Sequence, residues 1–215
     1  EIKKMLFGDL LVTYSDYARN RLQNLGFKNV RRIYPGIDTE KYCKKEKNPE
    51  YLKKYNFNNS DFIINFTGEY VRLGAIDTVI QSFIKVSKLI PNAKLSIANR
   101  IKNVADNKKK KEVIDILKKN NLLSRVAFHD DGTFEMSDIY NMCDISLFPV
   151  ENMRGKFDVP LAVIEAMACE KSVILSDLPI LKEFASAENS VIIEKGNIQS
   201  LSNAILDLWK NPEKR

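Results

Sequence analysis

The sequence predicts an α/β fold in which helices cover both faces of a parallel sheet. Two observations carry that expectation. Short apolar runs with strand character alternate with amphipathic runs of helical period along most of the chain. The strand-like runs are almost continuously apolar, as strands buried on both faces are.

The elements follow in order. DLLVTY (residues 9–14) reads as a strand and SDYARNRLQNLG (15–26) as a helix, with Ser15 as its N-cap and Gly26 as its stop. VRRIY is a short strand that ends at the turn Pro35-Gly36. Residues 38–60 are polar, rich in Lys and Asn, and read as a linker holding one short helix. DFIINFTG is a buried strand ending in Gly68, and residues 75–90 place Ile76, Val79, Ile80, Phe83 and Ile84 on one helical face. The strands AKLSIAN, RVAFHD, DISLFPV, KSVILSD and NSVIIEKG follow. Between and after them come helices at 110–119, 136–143, 161–169 and 198–211. The expected domains are 1–40, a last strand-helix-strand unit of a preceding domain; 41–57, a linker; and 58–215, a complete domain. No internal repeat or low-complexity tract interrupts this order.

Composition sets further bounds. The 215 residues are 44% hydrophobic and 29% charged, the profile of a soluble globular protein. A chain of this length buries about 70% of its unfolded surface and needs no covalent staples. No run of eighteen apolar residues is present, so no membrane-spanning helix is expected. The charged opening EIKKMLFGDL has neither an initiator Met nor a signal-peptide pattern, which reads as a start inside a larger protein. Three cysteines without close spacing exclude a disulfide framework and a zinc ribbon. A single histidine excludes histidine-rich metal sites. A reduced, cytoplasmic compartment follows. The net charge of +6 attracts phosphate groups of any kind. Its densest run, Lys108–Lys111, reads as a solvated loop leading into a helix. No aromatic residues interleave with it, so a nucleic-acid stacking platform is not indicated; no nucleic-acid partner is expected.

In a sheet of this kind ligands bind beyond the carboxyl ends of the strands, where the strand order reverses. Attention therefore falls on residues 68–74, 98–101, 129–134, 150–160 and 176–183. In LAVIEAMAC every residue but Glu165 is apolar, so the helix reads as buried all round and its carboxylate needs a dedicated partner. That partner is either a neighbouring base or loop amide, or the vicinal hydroxyls of a ligand. Upstream, Gly155 allows close backbone approach, Pro160 fits the first turn of the helix and Asp158 can cap it; Arg154 and Lys156 add charge. The free N–H groups of that helix start suit a phosphate. Gly68 permits a tight turn, and Arg72 is the only base in the loop after it. His129 and Cys169 read as structural.

The tract FDVPLAVIEAMACEKSVILSDLPILKEF resembles the signature of retaining glycosyltransferases of the GT-B fold, family 4 or group 1, which reads like EGFGLPLLEAMACGKPVIASDVGGIPEV. VTYSDYARNRLQNLGFKNVRRIYPGIDTEKY resembles the family's interdomain segment, FTGEYVRLGAID its GRLxxxKG loop, and GNIQSLSNAILDLW its GDPEALAEAIL helix. The resemblance implies the C-terminal half of a GT-B fold, a Rossmann-like domain that binds a UDP- or GDP-sugar. It implies transfer of a hexosyl unit to a glycan or lipid-linked hydroxyl acceptor held by the other domain, without a cofactor, in the cytoplasm or at the inner face of a membrane with peripheral association of the full-length protein. No metal is expected, because the sequence holds no carboxylate cluster of the kind that binds Mg²⁺. Glu165 matches the second Glu of the E-x7-E motif, which binds ribose. Gly155, Lys156, Phe157, Val159 and Pro160 match the donor loop, and Leu178 lies near base and diphosphate.

Three positions depart from the family pattern. The first Glu falls on Phe157, so Asp158, one residue on, is the catalytic candidate. The family's loop Arg falls on Glu69 and its Lys on Gly74, which leaves Arg72 and Lys156 for the phosphates. These departures sustain an alternative, a degenerate nucleotide- or partner-binding module of the same fold. The fragment alone is expected to be inactive.

Overall fold

In the computed structural model, which describes residues 8–130, 132, 134–154 and 158–215, a small unit precedes a large one. The small unit is β1 (Leu11–Thr13), α1 (Asp16–Asn24) and β2 (Val30–Arg32), with β1 and β2 paired in parallel. Ser15 caps α1: its Oγ accepts from Ala18 N at 3.1 Å. After α2 (Pro49–Lys54), the large unit runs β3 (Phe62–Glu69), α3 (Ile76–Val86), β4 (Ala93–Arg100), α4 (Val104–Lys119), β5 (Val126–Phe128), α5 (Met136–Met142), β6 (Ile145–Phe148), α6 (Leu161–Ala168), β7 (Ser172–Ser176), β8 (Ser190–Ile193) and α7 (Ile198–Lys210).

Six strands form one sheet in the order β5-β4-β3-β6-β7-β8, with every neighbouring pair parallel. The chain builds outward from β3 to β5, returns to the middle at β6, and builds outward again to β8. The order therefore reverses between β3 and β6. This is the Rossmann-like α/β arrangement the alternation predicts.

Side-chain alternation along β3 and β4 divides the core between the two faces. Ile64, Phe66, Leu95 and Ile97 pack with Ile76, Val79, Ile80 and Phe83 of α3 and with Leu201, Ile205 and Leu208 of α7. Ile63 and Ala98 face the other way, onto Leu52, Phe57, Ile139 and Met142. A polar row crosses this second face. Asn65, fully buried, donates through Nδ2 to Thr67 Oγ1 at 3.0 Å and to Ser146 Oγ at 3.2 Å. Ser96 Oγ lies 2.9 Å from His129 Nε2, whose ring also packs edge-on to Tyr55. His129 is 1% exposed and serves the core.

Four sequence readings change. The Lys108–Lys111 run lies inside α4, not in a loop: the helix begins at Val104, where Asn103 Oδ1 accepts from Asp106 N at 3.0 Å. Lys109 and Lys110 reach Asp77 and Asp130 from the helix surface. The segment 41–57 is not a free connector but is bound to the large unit. Asn141 accepts from Lys45 N at 2.8 Å and donates to Cys43 O at 3.0 Å, and Leu52 and Phe57 are buried. Helix α6 is not buried all round: it buries Val163 and Ala166, while Leu161 is 42% exposed. Pro160 stands at its N-cap, not in its first turn, and no side chain caps it. Among the described residues no helix is long and apolar enough to cross a membrane.

Candidate functional site at the sheet switch point

The loops after β3 and β6 run side by side at the point where strand order reverses. Glu151 N donates to Leu73 O at 2.9 Å. Gly74 has φ +73°, and a Cβ there would stand 3.0 Å from the Glu151 side chain. A side chain at this position would be strained by the left-handed backbone and would crowd Glu151. Gly68 does not make a turn. It lies within β3, its N donates to Asn99 Oδ1 at 2.9 Å, and a Cβ would come 2.7 Å from the Phe66 ring.

At the carboxyl ends of β3 and β4 a nearly buried carboxylate holds two cations. Glu69 is 6% exposed. Arg72 grips it with both arms of its fork, Nε donating to Oε2 at 2.5 Å and Nη2 to Oε1. Lys102 Nζ donates to the same Oε1 at 2.9 Å. The Arg72 and Lys102 side chains keep more than a third of their surface in solvent. Both cations keep solvent-exposed surface beside the carboxylate that positions them, and charge-assisted hydrogen bonds of this kind are the strong ones. Sequence reading found Arg72 and missed Lys102, which lies past the end of the next strand and joins the loop only through register.

Glu165 stands on α6, half-buried on the second face. Among the described residues its hydrogen-bond partner is a tyrosine, not a base or an amide: Tyr140 OH donates to Oε2 at 3.2 Å. Burial raises the Glu165 carboxyl above its ordinary value, and the hydroxyls of Tyr140 and Tyr42 pull it back. Tyr42 comes from the segment before α2, its ring centroid 6.3 Å from that of Tyr140. Burial beside Glu165 also raises the Tyr140 phenol, which therefore stays protonated and can only donate to the carboxylate.

Asp158 is 4% exposed, and both its oxygens are engaged. Oδ2 accepts from Tyr14 N at 2.5 Å, and Oδ1 accepts from the Ser15 hydroxyl and from Val159 N at 3.0 Å. It therefore caps no N–H of α6, contrary to the sequence reading; it binds the start of α1 instead. Val159 is half-buried and Pro160 buried between Asp158 and α6. Leu178, after β7, packs on the core and accepts at its carbonyl from Leu181 N at 2.9 Å. Arg154 is exposed. Gly155, Lys156 and Phe157 lie outside the described residues. Among the described residues no three or more His, Cys, Asp or Glu side chains gather as a metal site.

The chain spans about half the length of two solved structures that match it. Sucrose-phosphate synthase from Thermosynechococcus elongatus superposes with a TM-score of 0.78 at 18% identity, over 97% of this chain and 51% of that one. Anabaena HepE in complex with UDP superposes with a TM-score of 0.81 at 17% identity, over 97% and 56%. The C-terminal domain of the group 1 family protein LpcC from Francisella tularensis superposes with a TM-score of 0.71 at 19% identity, over 83% and 90%. Among curated proteins none matches the sequence. Residues 47–215, the large unit with its switch-point loops, match the family described as Glycosyl transferases group 1, and to that family this chain belongs.

Proposed function

We propose that this chain is the donor-binding half of a retaining glycosyltransferase. The full-length protein moves a hexosyl unit from a UDP- or GDP-sugar to a glycan or lipid-linked hydroxyl. The observation that carries the reading is Glu165: a half-buried carboxylate, aligned by a tyrosine hydroxyl, on the helix that follows the switch point. A carboxylate so placed accepts from two vicinal ribose hydroxyls, whereas it repels any anion. The UDP bound in the HepE structure supports a nucleotide at such a sheet.

Arg72 and Lys102 supply charge for the diphosphate at the ends of β3 and β4; the family resemblance adds Gly155 and Lys156 as donor-loop residues. By the same resemblance Val159, Pro160 and Leu178 line the donor. Catalysis is positioning plus stabilisation of the leaving diphosphate by cations and backbone amides. The reading requires no metal and no cofactor. It places the full-length protein in the cytoplasm, peripherally at the membrane face where a lipid-linked acceptor is met, with no role for nucleic acid. The acceptor side lies in the half that the relatives have and this chain does not span, so these 215 residues alone transfer no sugar.

Asp158 was the catalytic candidate of the sequence. With both oxygens engaged by the start of α1, it supports a holding role better than a chemical one. The same observation favours a second reading, a module that binds nucleotide without transferring sugar.

Calorimetric titration of the chain and of Glu165→Ala with UDP, GDP and ADP tests the donor site. One nucleotide should bind the wild type and lose about tenfold or more in affinity to the variant, the share of charge-assisted hydrogen bonds. Equal binding by both would sink the role of Glu165. Turnover by the full-length protein then separates the transferase from the silent module.

A further inference from the structure

Two carboxylates outside any expected ribose or phosphate contact converge on one helix start. Asp158 comes from the loop after β6 and Glu183 from the loop after β7, yet both end on residues 14–17. Asp158 takes Tyr14 N and the Ser15 hydroxyl. Glu183 takes the next two amides, Asp16 N through Oε1 and Tyr17 N through Oε2 at 2.9 Å. The first amides of a helix have no intrahelical acceptor, and its N-terminus favours negative charge. Ser15 already caps α1 locally through Ala18 N. The two carboxylates, more than 140 residues away in sequence, complete the cap from the other unit.

The joint is polar. Thr13 and Ser15 are 1% and 0% exposed, while the neighbouring Val12, Tyr14 and Tyr17 keep 38%, 43% and 40% of their surface in solvent. Among the described residues, charge-assisted hydrogen bonds rather than apolar packing hold this junction. Such joints can open and re-form without exposing a core. Asp158 also receives Val159 N, one residue before the N-cap of α6, so the clasp sits on the segment that leads into the helix carrying Glu165.

We propose that Asp158 and Glu183 are positioning residues. They form a clasp that holds the start of α1 across the carboxyl edge of the sheet, and so fix the wall of the donor crevice on the side of the preceding domain. That the wall serves sugar transfer rests on the proposed function; the clasp itself does not.

The test has two arms. Amide exchange is followed residue by residue in this chain and in Asp158→Asn, Glu183→Gln and Ser15→Ala. Tyr14 N should exchange about tenfold faster or more in Asp158→Asn, and Asp16 N and Tyr17 N likewise in Glu183→Gln, with Ile64 and Leu95 unchanged. Ser15→Ala removes the hydroxyl shared with Asp158 and with it the local cap on Ala18 N, so it should loosen Tyr14 and Ala18 together; if one carboxylate variant fails to fold, the other decides the matter. Unchanged exchange at Tyr14, Asp16 and Tyr17 overturns the clasp.

In the full-length protein with UDP-glucose, all three variants should lower kcat about tenfold while the donor KM moves less than about threefold. A loss confined to Asp158→Asn overturns the positioning role, because it marks that carboxylate as a chemical group. If the wild type does not turn over UDP-glucose, the proposed function loses support and the exchange result alone decides the clasp.

Discussion

Glu165 shows best how a single residue divides stability from function. Burial raises its carboxyl above the ordinary value, so the folded chain holds that proton more tightly than the unfolded chain does. The stability tied to it is therefore fully present below the unfolded pKa and is lost as pH rises through the raised folded value. Glu165→Gln keeps the shape and an acceptor for Tyr140 but carries no charge. Its melting point at pH 7 should equal or exceed that of the wild type, and the difference should shrink on acidification to about pH 4, near the ordinary Glu pKa. A wild type more stable than the variant at pH 7 would contradict the sign. Nucleotide affinity should fall in the same variant. Arg72→Ala probes the other end of the site. It should cost UDP about tenfold in affinity, the value of one charge-assisted contact, and leave uridine unaffected. Equal losses for UDP and uridine would place Arg72 away from the phosphates. The sequence exposed Glu165 because a lone carboxylate in an apolar helix is conspicuous. It did not expose Tyr140, Lys102 or Glu183, whose partners lie 25, 33 and 167 residues away and meet them only through sheet register.

At the scale of elements, hydrophobic period was a sufficient guide wherever one face of a helix meets the sheet. The apolar stripe Ile76, Val79, Ile80 and Phe83 became the buried face of α3. Phe83 is 1% exposed between β3, β4 and α7, and Phe83→Ala should destabilise the chain by about 3–5 kcal/mol, read from denaturant midpoints at constant slope. A loss under about 1 kcal/mol would show that the site collapses around the gap. Period misled where charge or composition masked it. In α4 only Val113 and Leu117 are buried hydrophobics, and four consecutive lysines conceal the turns before them. In α6 uniform apolarity implied burial on every side, yet composition cannot say where neighbours stand, and Leu161 is exposed. Turns were legible as positions but not as reasons: Gly68 is required by the Phe66 ring inside a strand, Gly74 by its φ of +73° against Glu151.

For the whole molecule the informative contrast is between the two units. The large unit holds nearly all the buried apolar side chains; in the small one Val30, at 7% exposure, is the one buried hydrophobic among the described residues. Leu10, Val12, Tyr14, Tyr17, Leu25, Ile33 and Tyr34 of the small unit are all exposed. Residues 42–57 follow the large unit, through Tyr42 beside Tyr140, Asn141 on Cys43 and Lys45, and Lys47 on Asp144 at 3.0 Å. These contacts favour a boundary near Pro35-Gly36, before that segment, over one at the end of a connector around residue 57. A chain of residues 36–215 should fold on its own. It loses Val30 and the clasp to Asp158 and Glu183 but no side chain of the large unit's core, so its melting point should stay within about 4 °C of the longer chain, the equivalent of roughly 1 kcal/mol at this size. It should keep its nucleotide affinity, since Glu165, Tyr140, Tyr42, Arg72 and Lys102 are all retained. A chain starting at residue 58 should lose Leu52 and Phe57 from the second face, together with the Tyr42 contact, and melt far lower. If both truncations melt alike, segment 36–57 contributes little, and the boundary belongs where the sequence alone placed it.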